Sequence, residues 1–271
     1  MARRRGALEI VPLTGEGGAR AGVCLQGGHI VSWIPAGEAD DRLFLGGNAV
    51  FRTGEEIWGG IPVVFPQFGE GPLPLHGFVR TLPWRVADEA RDRCVLSLTD
   101  DAQTRRLWPH PFRLDLHVRV AGTVLEVALV VRNTGDAAWD FGAALHTYLA
   151  VDATRATLHG LAGAAYRDKD RGHAAFVQRD ESLSLAGPID RVYREAHYLL
   201  GVRDGSRRLG LASGGFPDVV VWNAGPDGEH RWPGFAPGDW ARMACVEAAV
   251  VGPRTLGPGA AFHGTQRFEA A

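Results

Sequence analysis

Leu114-Asp115-Leu116-His117-Val118-Arg119-Val120-Ala121-Gly122-Thr123-Val124-Leu125-Glu126-Val127-Ala128-Leu129-Val130-Val131 is the stretch that decides the architecture. Leu114, Leu116, Val118 and Val120 alternate with Asp115, His117 and Arg119, which gives one dry and one wet face at a period of two. Ala121-Gly122 turns the chain, and Leu125, Val127, Leu129 and Val131 resume the alternation, so the stretch reads as an antiparallel hairpin. Asn133-Thr134-Gly135-Asp136 ends the return strand with residues that favour tight turns.

Working outward, short apolar runs recur at Leu8–Val11, Val23–Leu25, Ile30–Ile34, Val95–Leu98, Tyr198–Val202, Val219–Trp222 and Ala244–Val251. Each is bounded by Gly, Pro, Asp or Asn, and no segment keeps an amphipathic helical period beyond about three turns. With 36 Gly and 16 Pro in 271 residues, turns outweigh helices. The expectation is an all-β sandwich or barrel, one domain spanning 1-271, with no strand–helix alternation to suggest a doubly wound fold. A net charge of -2 argues against a nucleic-acid partner. Arg3-Arg4-Arg5 is not followed by an apolar signal segment, and no run approaches the ~20 apolar residues that span a bilayer, so no membrane partner is expected. Cys24, Cys94 and Cys245 are few, scattered and odd in number, which fits a reduced, cytoplasmic protein without a disulfide framework.

Three stretches carry chemistry that plain β-scaffold does not need. In Gly59-Gly60-Ile61-Pro62-Val63-Val64-Phe65-Pro66-Gln67-Phe68-Gly69, two prolines exclude a central strand and indicate a shaped loop or sheet edge. With Leu75-His76-Gly77-Phe78-Val79-Arg80 it supplies Gln67, His76 and Arg80, side chains able to bind hydroxyls or an anion; the bland reading is a Pro/Gly-rich connection. In Phe141–Leu149, His146 sits inside an apolar strand, where a histidine is more often a satisfied core residue than a catalyst. In Met243–Val251, Glu247 interrupts an apolar strand and must either face solvent or be used, because an unpaired buried carboxylate costs several kcal/mol or is pushed up in pKa. The charge-rich Val86–Arg93 and Tyr166–Gly172 read as solvated loops and edges. Ten histidines form none of the usual metal-ligand spacings, and no phosphate-cradling loop or Gly-x-Ser-x-Gly elbow is present, so neither metal nor cofactor is expected.

Taken in order, seven pieces between residues 59 and 247 resemble the glucose-6-phosphate 1-epimerase (hexose-6-phosphate mutarotase) branch of the aldose 1-epimerase superfamily. They are Gly59–Gly69, His76-Gly77-Phe78-Val79-Arg80 with Trp84, Leu145-His146-Thr147-Tyr148, Tyr166-Arg167-Asp168-Lys169, Ile189-Asp190-Arg191-Val192-Tyr193, Val220-Val221-Trp222-Asn223 and Cys245-Val246-Glu247. The resemblance implies a large twisted antiparallel β-sandwich, the galactose mutarotase-like supersandwich, with a sugar cleft across one sheet. It assigns His146 as general acid, Glu247 as general base, His76 and Asp190 as holders of sugar hydroxyls, and Arg80 as a phosphate-recognising arginine of the cleft. Trp222, in one of the matching pieces, joins Trp58 and Gln67 among the expected substrate contacts. Trp58 departs from the pattern: relatives often carry an arginine just before the Gly-Gly pair. A tryptophan can stack on a sugar but cannot pair with phosphate, and Arg52, Arg242 and Arg254 are the candidates to replace the lost cation.

The chemistry expected is cofactor-independent interconversion of the α and β anomers of a hexose 6-phosphate, with a sugar or sugar phosphate as the partner. Glu247 is expected to titrate above a free Glu, and Asp190 to help keep His146 protonated. A mutarotase for free aldoses, a non-catalytic carbohydrate-binding or sugar-sensing module and a cupin-like metal enzyme are the competing readings.

Overall fold

The computed structural model describes residues 3–195 and 199–271. Its elements are strands joined by short turns; among the described residues the α-helical segment is the single turn Thr104–Leu107. No helix is long and apolar enough to cross a membrane.

The deciding hairpin forms as expected. Phe112–Ala121 pairs antiparallel with Val124–Asn133, Leu116 opposite Leu129 and Val118 opposite Val127. The turn lies one residue later than the sequence suggested: Ala121 still pairs with Val124, and Gly122–Thr123 makes the reversal with Gly122 at φ +56°, a left-handed conformation natural to glycine. Around this hairpin grows a nine-stranded antiparallel sheet, the back sheet. Its order is Ser182–Ser184, Thr157–His159, Leu199–Asp204, Arg207–Gly214, Ala261–Ala270, Val124–Asn133, Phe112–Ala121, Arg93–Thr99 and Arg85–Glu89. The expected strand beginning at Tyr198 starts at Leu199; Tyr198 itself lies outside the described residues.

A second sheet, the site sheet, runs Ala174–Val177, Ala165–Asp168, Ile189–Tyr193, Asp218–Asn223, Met243–Leu256, Trp139–Leu145 and Val63–Val64, with Tyr148–Ala150 also paired to Met243–Leu256. The prolines at 62 and 66 restrict Val63–Val64 to a two-residue edge strand, as their missing N–H groups require. The four-stranded sheet Arg3–Arg5, Leu8–Thr14, Arg20–Cys24 and His29–Ile34 completes the architecture.

The two large sheets bury one shared core. Leu114, Leu116, Val118, Leu125, Val127 and Leu129 from the back sheet meet Ala244, Val246, Ala248 and Val250 from the site sheet, and Val11, Leu13 and Trp33 join from the small sheet. The central strand Met243–Leu256 is buried on both faces over residues 243–250. Its even-numbered residues point into the core, and Met243, Cys245, Glu247 and Ala249 cover the opposite face, where the site lies. Double burial explains why this strand reads as an unbroken apolar run instead of alternating.

Candidate active site

Strand register assembles the floor of a cleft. Asp190 pairs with Trp222, Trp222 with Cys245 and Cys245 with Tyr148, so four strands put these residues in one row. Two residues along, Val192, Val220 and Glu247 form the next row. The cleft above encloses about 540 Å³, within the ~300–1,000 Å³ usual for small-molecule sites. His76, Arg80, His146, Asp190, Trp58, Trp222 and Glu247 all line it.

His146 occupies the gap between Trp139–Leu145 and Tyr148–Ala150, its N–H donating to the Pro62 carbonyl at 3.1 Å. Its ring stacks on Tyr148, with centroids 4.7 Å apart and planes 8° from parallel. His146 Nδ1 stands 3.5 Å from Glu247 Oε1. Glu247 is only 2% exposed, so its strand buries the carboxylate instead of turning it to solvent. His146 Nδ1 and Glu247 Oε2 have no hydrogen-bond partner, a costly arrangement that a ligand in the cleft would relieve.

The pair is held from behind. Gln266, on the back-sheet strand Ala261–Ala270, crosses the core to accept from the Thr147 hydroxyl at 2.7 Å and donate to the Val246 carbonyl at 3.1 Å. Thr147 follows His146 and Val246 precedes Glu247, so one buried amide ties both backbones. The Val246 N–H donating to the Thr147 carbonyl at 3.0 Å closes the link. Sequence reasoning missed Gln266; its one signal is a long polar residue among the apolar positions of the last strand.

Burial raises the Glu247 carboxyl well above the usual carboxylate range, as expected; Lys169 opposes the shift and Asp190 adds to it. Burial also holds His146 well below its usual value, with His76 and Arg80 adding repulsion. The expectation that Asp190 keeps His146 protonated is overturned, because Asp190 is engaged by Lys169 at 3.3 Å and burial dominates at the imidazole. Burial thus pushes both groups of the pair toward their uncharged forms, Glu247 toward the carboxylic acid and His146 toward the neutral imidazole.

His76 is driven down to about 3 by burial first, then by Arg80 and Lys169, and so is also neutral. Its Nδ1 accepts the Gly69 N–H at 3.2 Å, which assigns the proton to Nε2. The residue adopts a left-handed φ of 63°, an uncommon conformation for a side chain other than Gly, Asn or Asp and one that clusters at functional sites. Its ring meets His146 edge-on at 5.1 Å.

Arg80 faces the cleft but is already paired, its Nη2 lying 2.6 Å from Glu56 Oε1 and donating to the Leu75 carbonyl at 2.6 Å. Trp58 packs against Trp232 and Phe235, with Trp222 meeting Trp232 at right angles, so the position expected to stack on sugar belongs to an aromatic wall. The chain reaches it through Gly59 and Gly60, where a Cβ on Gly59 would lie 2.3 Å from the Phe44 carbonyl oxygen.

Gln67 is the one expected contact that the fold turns away from the cleft. Its amide donates to the Gly69 carbonyl at 3.0 Å and its oxygen accepts the Leu73 N–H at 3.1 Å, so it braces the loop that presents His76. Arg52, Arg242 and Arg254 do not line the cleft either: the first pairs with Glu55, the second with Asp239, and the third covers Phe262. The extra cation is Lys169, in a stretch expected to be solvated. It follows the strand Ala165–Asp168, lies over the Phe68 ring at 5.4 Å and lines the cleft with His173 and Tyr148. Tyr166 and Asp168 are buried, so that stretch is a strand of the site sheet rather than a loop.

With this geometry in hand, similarity to known proteins is informative. The Aldose 1-epimerase family profile matches residues 9–269. A protein of Escherichia coli strain K12 named "Putative glucose-6-phosphate 1-epimerase" is 33% identical over 240 residues, covering 85% of this chain and 79% of that protein. One of the same name from Cenchrus ciliaris is 30% identical over 275 residues, covering 95% and 83%. A crystal structure of a Salmonella typhimurium protein described as a putative mutarotase superposes with a TM-score of 0.89 at 28% identity, covering 100% of this chain and 92% of that one. The galactose mutarotase related enzyme of Lactobacillus acidophilus shares the fold, with a TM-score of 0.77 at 15% identity over 97% of each chain. The chain belongs to the aldose 1-epimerase family.

Proposed function

We propose that the protein interconverts the α and β anomers of a hexose 6-phosphate by general acid–base catalysis at His146 and Glu247. The observation that carries this is the 3.5 Å His146–Glu247 pair on the floor of a cleft of about 540 Å³. The relatives named for glucose-6-phosphate 1-epimerase supply the substrate class.

Glu247 as carboxylate takes the proton of the C1 hydroxyl while the C1–O5 bond breaks, and O5 takes a proton from His146. The open-chain aldehyde rotates about C1–C2, and the reverse transfers close the other anomer. The pair thus alternates between Glu⁻/HisH⁺ and GluH/His with one proton in all. Burial favours the uncharged GluH/His arrangement of the open-chain stage. Ring opening needs the other arrangement, and Lys169 is the cation that favours the ionised carboxylate. Each proton transfer contributes typically ~10²–10⁴-fold.

In this reading His76 holds sugar hydroxyls through Nε2–H and Asp190 through its carboxylate, and Arg80 with Lys169 meets the phosphate; that all four line the cleft supports it. Both cations are paired with carboxylates, so the phosphate competes with Glu56 and Asp190 for them, although Arg80 keeps a buried Nε–H without a partner. That pairing, with the aromatic wall around Trp58, favours free aldoses as a second reading. NMR saturation transfer between anomers of glucose 6-phosphate and of glucose separates the two. Faster exchange on the phosphate supports the first reading, and equal efficiency on both supports the second.

We further infer one folding unit over residues 1-271 from the core shared by the sheets, and a reducing, cytoplasmic setting from three buried, unbridged cysteines.

A further inference from the structure

The strand Met243–Leu256 places a third donor beside the acid–base pair. Cys245 lies two residues before Glu247 on the same face, wholly buried, and its register partners are Trp222 and Tyr148. Donor atoms of His146, Cys245 and Glu247 all fall within 4.8 Å of one another. Anomer exchange has no role for a thiol. Two of the three side chains also present a buried atom without a partner, His146 Nδ1 and Glu247 Oε2.

We propose that these three side chains form an inhibitory site for a zinc-type divalent cation. Nitrogen, sulfur and oxygen donors from three residues, with a fourth position open to the cleft, match the ligand types of three-protein-ligand zinc sites. The thiolate selects against magnesium and calcium, which prefer oxygen alone. The 3.5 Å between His146 Nδ1 and Glu247 Oε1 is close to the ~3.3 Å edge of a tetrahedron whose metal–ligand bonds are about 2.0 Å. Binding displaces two protons to solvent, that of the Cys245 thiol and the one carried by the His146–Glu247 pair, and a water or a sugar hydroxyl fills the fourth position. The bound cation occupies the lone pairs that acid–base transfer needs, so exchange stops. That consequence rests on the proposed catalytic role of the pair, whereas binding of the cation does not.

Separations along the chain cannot reveal such a site. His146 lies on one strand connection and Cys245 and Glu247 on another strand, so no short ligand spacing exists for a motif to match. Cys24 and Cys94 lie in other packing clusters, and among the described residues they belong to no such group of donors.

The test uses the intact protein without an affinity tag, titrated with Co²⁺ as a spectroscopic probe and with Zn²⁺ alone. The expected result is one cobalt per chain with a thiolate-to-cobalt charge-transfer band that Cys245→Ala abolishes. The zinc inhibition constant of that variant, measured against its own metal-free exchange rate, should rise at least about 10-fold, the scale seen when a metal site loses support. Absence of the thiolate band in the wild-type protein overturns the proposal without reference to any variant, and so does a band unchanged in Cys245→Ala. Cys245→Ser replaces the alanine variant if circular dichroism shows the latter unfolded. If cobalt binds with the thiolate band while zinc leaves wild-type exchange untouched, the cation site stands and the acid–base assignment falls.

Discussion

The back sheet and the site sheet are built from similar strands but treat polar groups differently. On the deciding hairpin, Leu116 and Val118 face the core and their polar neighbours face water, where Asp115 pairs with Arg113 and Arg119 with Glu126. On the site sheet the central strand is buried on both faces, and Glu247 and its partner His146 keep atoms with no partner. Where the back sheet buries a polar side chain it gives it a partner, as Asp204 has Arg155 and Gln266 has Thr147. The site sheet keeps titratable atoms of His146 and Glu247 dry and without a partner, and the fold carries that cost.

Disabling the site sheet should give the largest effect. Glu247→Gln and His146→Asn are each expected to lower kcat for anomer exchange by about 10²–10⁴-fold while circular dichroism stays unchanged. The double variant should lose little more than either single one, because the two act as one proton-transfer unit. Near-wild-type kcat in either single variant would show that the unpaired atoms serve something other than catalysis.

The converse substitution is in the back sheet. Leu116 is wholly buried, and Leu116→Ala should cost about 2–5 kcal/mol in denaturant unfolding with kcat of the folded fraction nearly intact. A drop in kcat larger than the loss of folded protein would erase the division of labour between the sheets.

On the small sheet, His29 tests the cost of dry polar groups through pH. Burial holds it at about 4, against an ordinary 6.5, despite its 2.6 Å contact with the Gly59 carbonyl. Because the folded value is depressed, the stability it contributes is present above about pH 6.5 and is lost as pH falls through 4. The shift corresponds to roughly 3 kcal/mol. His29→Gln should flatten the stability profile across that window; an unchanged slope would assign the loss to other groups.

Gln266 is where the comparison sharpens, since a back-sheet residue serves the site. Gln266→Leu leaves the Thr147 hydroxyl and Val246 carbonyl without it, at about 1–3 kcal/mol of stability. A shift of the pair should also reduce kcat by roughly 10-fold or more with little change in KM. Loss of stability alone would make it a core residue only.

The smallest effect is expected at the rim. Glu56→Gln frees Arg80 and should lower KM for glucose 6-phosphate by up to about fivefold, the ~1 kcal/mol scale of a partly exposed ion pair. KM for glucose should not move. No change for the phosphate would show that Arg80 does not meet it.

Local patterns along the chain set the elements and nominated the pair. Period-two alternation in 114–131, prolines confining 63–64 to an edge and a carboxylate inside an apolar run are local signals, because strand geometry and burial costs act on each residue where it stands. Only the tertiary structure decided what register and packing across distant strands bring together. It turned Gln67 into its own loop, gave Arg80 to Glu56, raised Lys169 into the cleft, removed Asp190 from His146 and set Gln266 behind the pair. Those outcomes depend on which side chain reaches a partner first in three dimensions. For Gln67 the competition is settled inside its own loop, and for the others by residues tens to more than a hundred positions apart, which a pattern along the chain does not record.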